Sequence, residues 1–236
     1  MKIFRKKLHY IRGLKAGIPI ALGYLSVSFT FGIMAVSYGF TWWQALLISA
    51  FNITSAGQFA GIGIMLTPGN YLEMVITQIT INIRYSFMSI SLSQKVDDKF
   101  KGVSRWILGF GTTDEIFAVS MTEEKVCRSY YAGLITLPFL GWTLGTLFGA
   151  ILGNVLPDRL VSALGLAIYG MFIAIVVPEM KKIKAVVYVV ALSMAMSSFF
   201  YYCPMGKKLS SGLSMSICAV FAAVIGAFCF PVKEEE

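Results

Sequence analysis

The chain has 236 residues, 57% of them hydrophobic and 14% charged, with a formal net charge of +8 and a mean hydropathy of +0.73. Soluble domains carry roughly 25% charged residues, so this composition leaves no room for a separate soluble domain, and the length admits at most about eight membrane segments of ~20 to 25 residues. The basic residues cluster beside apolar segments, where they set orientation and meet anionic lipid, which argues against a nucleic-acid role.

Lys2, Arg5, Lys6, Lys7, Arg12 and Lys15 open the chain, with Phe4, Leu8 and Ile11 on one helical face among them. That is the pattern of an interfacial helix on the cytoplasmic surface. The run that follows, Ala16 to Tyr38, exceeds the ~7 to 15 residues of a signal-peptide core and has no convincing cleavage site, so it is read as a span. No Asp, Glu, Lys or Arg occurs from Ala16 to Leu72. In chain order the apolar segments are Ala16 to Tyr38, Gln44 to Leu66, Tyr71 to Ser93, Trp106 to Met121, Tyr130 to Leu152, Leu160 to Val177, Ala185 to Tyr202 and Leu209 to Phe230. Turn-like pieces such as Thr67-Pro68-Gly69-Asn70 and Pro204-Met205-Gly206-Lys207-Lys208 separate them. All eight are expected to be helical, because lipid admits only helices or closed barrels and nothing here alternates with a period of two. The expectation is an all-α, polytopic membrane protein forming a single integral domain over residues 1–236.

Lysines and arginines bear on how many segments cross. With eight full spans and the N-terminus inside, twelve lie inside and seven outside, with Arg84 buried. If the second and fourth segments instead dip in and return, the Lys95 to Arg105 loop moves inside and the split becomes sixteen to three. The positive-inside rule prefers the second topology. Those two segments also carry helix-start signals in mid-membrane. Ser55-Ala56-Gly57-Gln58 and Thr112-Thr113-Asp114-Glu115 fit the capping box S/T-x-x-E/Q, with Gly57, Gly61, Gly63, Gly109 and Gly111 nearby. The expected architecture is therefore about six full spans plus two broken or re-entrant helices, with eight full spans as the alternative. A faint repeat relates Ala16-Gly17-Ile18 and Phe31-Gly32 to Ala132-Gly133-Leu134 and Phe148-Gly149.

Ionisable groups inside apolar segments are expensive and mark function. Wound at ~100° per residue, the third segment shows two polar faces, one with Gln78, Asn82, Tyr85, Ser89 and Ser93 and the other with Glu73, Thr77, Thr80, Arg84 and Ser91. Such a helix lies inside a bundle or against water. Arg84 is too deep to snorkel, and Glu73 is eleven residues away, so the natural counter-charge is Asp114 or Glu115. A polar knot, Asn52-Ile53-Thr54-Ser55-Ala56-Gly57-Gln58, adds Asn52, Thr54, Ser55 and Gln58 to the candidate site alongside Asn82, Arg84, Asp114 and Glu115. Enzyme chemistry fares badly: the one histidine, His9, lies in the basic N-terminal stretch, and there is no Walker or dinucleotide glycine pattern. Cys127, Cys203, Cys218 and Cys229 lack C-x-x-C spacing and read as small hydrophobes. Transport or conduction remains, and no cofactor or metal is implied.

These residues resemble the AzlC-type family, the large subunit of bacterial two-component exporters of branched-chain amino acids. The similarity rests on the glycine-rich first segment, Ser55-Ala56-Gly57-Gln58-Phe59, Asn82-Ile83-Arg84 and Thr113-Asp114-Glu115-Ile116-Phe117-Ala118, and extends over nearly the whole chain. Tyr85 stands where the family often has His after Asn-x-Arg, so any proton-transfer role of that histidine falls here to Asp114 or Glu115. The resemblance implies secondary export of Leu, Ile or Val, and sometimes Met, across the bacterial cytoplasmic membrane with a small hydrophobic AzlD-like subunit. The residues themselves suit a zwitterion with an apolar side chain. A half-helix N-terminus and Arg84 meet the carboxylate, Asp114 or Glu115 the ammonium, and Phe51, Phe59, Phe87 or Phe117 the side chain. An uncoupled channel for small solutes or ions is the alternative, and a purely structural subunit is a third reading.

Overall fold

The computed structural model describes residues 2–66, 71–98, 100–153, 180–203 and 211–231, with isolated positions at 157, 159, 173 and 176–178. Among them run helices α1 (Lys2–Ser37), α2 (Trp42–Phe51), α3 (Ser55–Met65), α4 (Tyr71–Lys95), α5 (Val103–Phe110), α6 (Asp114–Met121), α7 (Arg128–Leu152), α8 (Lys184–Tyr202) and α9 (Ser211–Cys229). The expected sixth segment, Leu160 to Val177, lies outside the described residues except at isolated positions. So do the turn-like pieces at 67–70 and 204–208. Over Lys6–Ser37, Arg128–Leu152 and Lys184–Tyr202 the helices are long and apolar enough to cross a bilayer. The chain is a helical membrane protein.

The N-terminal basic stretch is not a separate interfacial helix. It is continuous with the first span in a helix of 36 residues, about 54 Å long, which exceeds the ~30 Å hydrocarbon core. Gly13, the one residue there that could break it, serves close packing instead: a Cβ would overlap the Tyr130 carbonyl of α7.

The chain divides into two compact units, one of Met1–Phe59 and Asn82–Ile168 and the other of Ala60–Ile81 and Tyr169–Glu236. In the second, α8 and α9 pack antiparallel, with the Tyr188 and Phe230 rings stacked 5.5 Å apart and Gly226 against Val189. Within its other segment, Gly61 of α3 faces Gln78 and Met74 of α4.

The first unit is organised around α1 and α7, which run parallel in close contact. Gly17 meets Leu134 and Pro138, Gly141 meets Ala21, Gly145 meets Leu25 and Ser28, and Gly153 meets Ile33. Gly32 abuts the Thr146 carbonyl while Gly149 abuts that of Phe29. Those last two contacts become one another under a shift of 117 residues, the spacing of the repeat read from Phe31-Gly32 and Phe148-Gly149. Small residues let membrane helices approach this closely, since lipid supplies no hydrophobic drive between them. The repeat is therefore a pair of like-oriented helices that grip each other through their glycines.

Both the second and fourth segments are broken, and each returns toward the end it came from. Ser49 of α2 donates to the Gln58 Oε1 of α3 at 3.1 Å. Nine residues of straight helix would hold these two about 13 Å apart, so the chain turns sharply between α2 and the start of α3. Phe59 then packs edge-on against Phe31 at 5.3 Å, toward the end where α1 finishes. The fourth segment enters from the opposite end. The Val126 amide donates to the Lys95 carbonyl at 2.9 Å and the Asp97 amide to the Val126 carbonyl at 3.0 Å. The Lys95 ammonium donates to the carbonyls of Met121 and Glu123 at 2.8 and 3.2 Å. The chain thus leaves α4 and starts α7 at the same level, and α5 and α6, eight residues each, go in and come back. Arg12, bonded to Glu123, puts the N-terminal stretch and the Lys95 to Arg105 loop at one end, the arrangement that the charge count preferred.

Candidate functional site

Each hairpin exposes a break in its helical ladder, and a new helix needs its first amides satisfied. At the first break Thr54 Oγ1 accepts from the Gly57 amide at 3.4 Å. At the second, Thr113 Oγ1 accepts from the Ile116 amide at 3.4 Å. Both caps sit one residue away from the boxes read in the sequence. Ser55 is already the first helical residue of α3, and Thr112 instead shares a hydrogen bond of 2.8 Å with the Tyr131 hydroxyl. The expected reciprocal Gln and Glu arms are engaged elsewhere, with Gln58 on Ser49 and Glu115 on Tyr24. A full capping box does form, at Thr41 and Gln44 ahead of α2.

Asn52, Ile53 and Thr54 from the first break meet Gly109, Phe110 and Thr112 from the second around a cavity of about 190 Å³. Asn82, Tyr85 and Ser89 of α4 close its wall, and Phe51 completes it. One of the two polar faces of α4 therefore lines the cavity, while Ile79, Ile83, Phe87 and Ile90 are exposed on the helix exterior. Next to it, Arg84 Nη1 lies 2.8 Å from Asp114 Oδ2. The guanidinium also donates to the Tyr85 hydroxyl at 3.3 Å and sits 5.0 Å from the Tyr85 ring centroid. Arg84 is eleven residues from the end of α4, about 16 Å along its axis, which is half the hydrocarbon thickness. Of the two possible counter-charges, the structure pairs Arg84 with Asp114.

Glu115 does not share in that pair. Adjacent residues on a helix point ~100° apart, and this carboxylate faces α1, where the Tyr24 hydroxyl donates to it. Tyr24 also lies 2.6 Å from Thr113 Oγ1 and packs edge-on against Trp142 at 5.2 Å. Gln58 is 1% exposed, with its Oε1 held by a chain from Thr146 through Ser49 and its Nε2 without a hydrogen-bond partner among the described residues. Thus Asn52, Thr54 and Asn82 gather at the cavity with Arg84 and Asp114 beside them. Gln58 and Glu115 point to other neighbours, and Ser55 is not among the residues that line the cavity.

A second cavity of about 710 Å³ shares Ser89, Gly109, Phe110 and Thr112 with the first. Leu92, Val96, Phe100 and Trp106 carry it toward the Lys95 end. Of the aromatic residues expected at the site, Phe51 lines the small cavity, Phe59 packs on Phe31, Phe117 joins the apolar cluster around Tyr131 and Leu134, and Phe87 is exposed. Phe110, which lines both cavities, and Tyr24 escaped sequence reading. The only signal for Tyr24 is a phenol in a span without charged residues, and Phe110 has none beyond its place before a glycine.

Fold and site together define a helical membrane protein in which two oppositely entering hairpins meet at a charged, polar centre. Residues 19–156, which include every site residue above, match the family model described as AzlC protein. The chain belongs to the AzlC family. A membrane protein of Archaeoglobus fulgidus is 32% identical over 183 residues, covering 77% of this chain and 80% of its own length. Inner membrane protein YgaZ of Escherichia coli is 24% identical, with 93% and 91% covered. The branched-chain amino acid transport protein AzlC of Bacillus subtilis is 25% identical, with 71% and 66% covered. No solved structure matches.

Proposed function

We propose that this chain is the large subunit of a secondary transporter that exports leucine, isoleucine and valine, with methionine as a related substrate, across a bacterial cytoplasmic membrane. The observation that carries the proposal is the Arg84–Asp114 pair beside a 190 Å³ cavity built from two helix breaks. That volume is below the ~300 Å³ floor of drug-sized pockets and suits a molecule of a few heavy atoms. Opening the pair lets Arg84 and the amides at the start of α6 take a carboxylate while Asp114 takes an ammonium, in the manner of half-helix ends in other transporters. Phe51 and Phe110 then flank an aliphatic side chain. The larger cavity gives an apolar approach from the Lys95 end, which the positive-inside rule places in the cytoplasm. Membership of a family that includes a relative named for branched-chain amino acid transport supports the substrate class.

The partner belongs to the same proposal. A stripe of exposed apolar residues, Val103, Trp106, Ile107 and Phe110, runs down α5, and 43% of the Arg84 side chain stays accessible. A small hydrophobic AzlD-like subunit would cover such surfaces and complete the polar bundle. The test is counterflow of labelled leucine, valine and methionine in vesicles, with and without that subunit. Saturable exchange among these amino acids supports the proposal, while fast linear flux of unrelated solutes replaces it with a channel.

A further inference from the structure

We propose that Glu115 with Tyr24 forms the proton-carrying site of this protein, separate from the Arg84–Asp114 pair; the assignment rests on the transporter reading above. The two carboxylates are neighbours in sequence but differ in what faces them. Asp114 faces a permanent cation 2.8 Å away. A guanidinium has only donors and cannot be deprotonated, so protonating Asp114 would strand Arg84 in mid-membrane. Glu115 has no cation within salt-bridge distance among the described residues. Its neighbour is a hydroxyl, which donates to a carboxylate and accepts from a carboxylic acid equally well.

The hydrogen bonds around Glu115 therefore survive in both states. When Glu115 is ionised, Tyr24 donates to its Oε2 and keeps its contact of 2.6 Å with Thr113 Oγ1. When a proton binds, the new Glu115 O–H donates to Tyr24, and Tyr24 turns its own proton toward Thr113 Oγ1, which already receives the Ile116 amide. One proton is gained, no covalent bond other than that O–H changes, and each heavy-atom contact is kept. The other ionisable groups around the pair are Asp114 on its own helix and, from α4, Arg84 and Tyr85, the last close enough to interact electrostatically with Tyr24. Arg84 is neutralised by Asp114, so the unneutralised charge of this cluster is that of Glu115. It is also placed to communicate with the substrate site: Thr113, its hydrogen-bonded neighbour through Tyr24, caps α6, and Asp114 is the first residue of that helix.

The experiment uses the full chain, with its small subunit, in everted membrane vesicles, and reads two quantities. One is counterflow of labelled leucine with no proton gradient. The other is the lumenal pH change evoked by adding leucine, followed with a pH-sensitive dye. Glu115→Gln, a neutral mimic of the protonated state, is expected to retain leucine counterflow and to lose the leucine-evoked pH change. Asp114→Asn is expected to lose both. A Glu115→Gln protein that still moves protons with leucine overturns the assignment, and so does one that inserts normally yet loses counterflow together with the pH change. Should Glu115→Gln fail to insert, Tyr24→Phe keeps the carboxylate and removes its partner. Counterflow retained with a displaced pH profile for proton movement then supports the site, and an unchanged profile overturns it. Absence of leucine flux in the wild-type protein removes the transporter reading itself.

Discussion

Removing one charge of the Arg84–Asp114 pair leaves the other alone in mid-membrane, and the size of the effect follows from the geometry. At 2.8 Å, Coulomb attraction with an effective dielectric of ~20 is about 6 kcal/mol. Desolvation offsets much of that, and breaking a buried pair by deleting one member typically costs ~3 to 5 kcal/mol. Here 43% of the Arg84 side chain and 27% of that of Asp114 remain accessible, so water entering the site recovers part of the loss, and about 2 to 4 kcal/mol is expected for Arg84→Ala or Asp114→Ala. The double replacement Arg84→Met with Asp114→Leu should regain most of that stability, because apolar packing substitutes for a buried pair at little net cost. Transport should not return, since the carboxylate and ammonium of the substrate would have lost both counter-charges. Thermal unfolding of detergent-solubilised protein measures the first quantity, and leucine counterflow the second. A double variant that is stable and transports like wild type would refute the reasoning and reduce the pair to a link between α4 and α6.

Impermeant thiol reagents should label Asp98→Cys, in a chain whose four native cysteines have been replaced, from the cytoplasmic face only. Labelling in intact cells would overturn the re-entrant course of α5 and α6. Gly149→Ala should destabilise the protein by roughly 1 to 3 kcal/mol, the usual range for overpacking, because the added methyl group overlaps the Phe29 carbonyl of α1. Gly23→Ala, which meets nothing within 4 Å, is the control and should leave the melting temperature unchanged or slightly raised. Finally, purified chain reconstituted alone should show little leucine export, and full saturable export without the small subunit would show that the exposed faces of α4 and α5 need no cover.

The two hairpins share a plan that the pattern of apolar segments does not display. A long helix is followed by a short re-entrant pair in α1 with α2–α3, and again in α4 with α5–α6, the second time running the opposite way through the membrane. The two helix starts, capped by Thr54 and Thr113, consequently converge from opposite ends, and their positive dipole ends fall near the cavity. Converging breaks of this kind are how transporters place backbone groups at the midplane without exposing them to lipid.

Apolar character is local and additive, and so the sequence by itself determined that this is an all-helical membrane protein, roughly where its segments lie, and that Arg84 needs a buried counter-charge. Charge asymmetry favoured a course in which the second and fourth segments turn back, with the lysines and arginines from Lys95 to Arg105 on the side of the N-terminus, but left eight full spans open. Tertiary structure alone decided which carboxylate answers Arg84. Asp114 and Glu115 are equivalent in composition and spacing, and only the rotation of α6 about its axis, fixed by packing against α1, α4 and α7, sends one to Arg84 and the other to Tyr24. For the same reason the caps fell to Thr54 and Thr113. Ser55 and Thr112 are the residues that match the capping motif, but the Tyr131 hydroxyl of α7 holds Thr112, a partner 19 residues away that no local pattern contains.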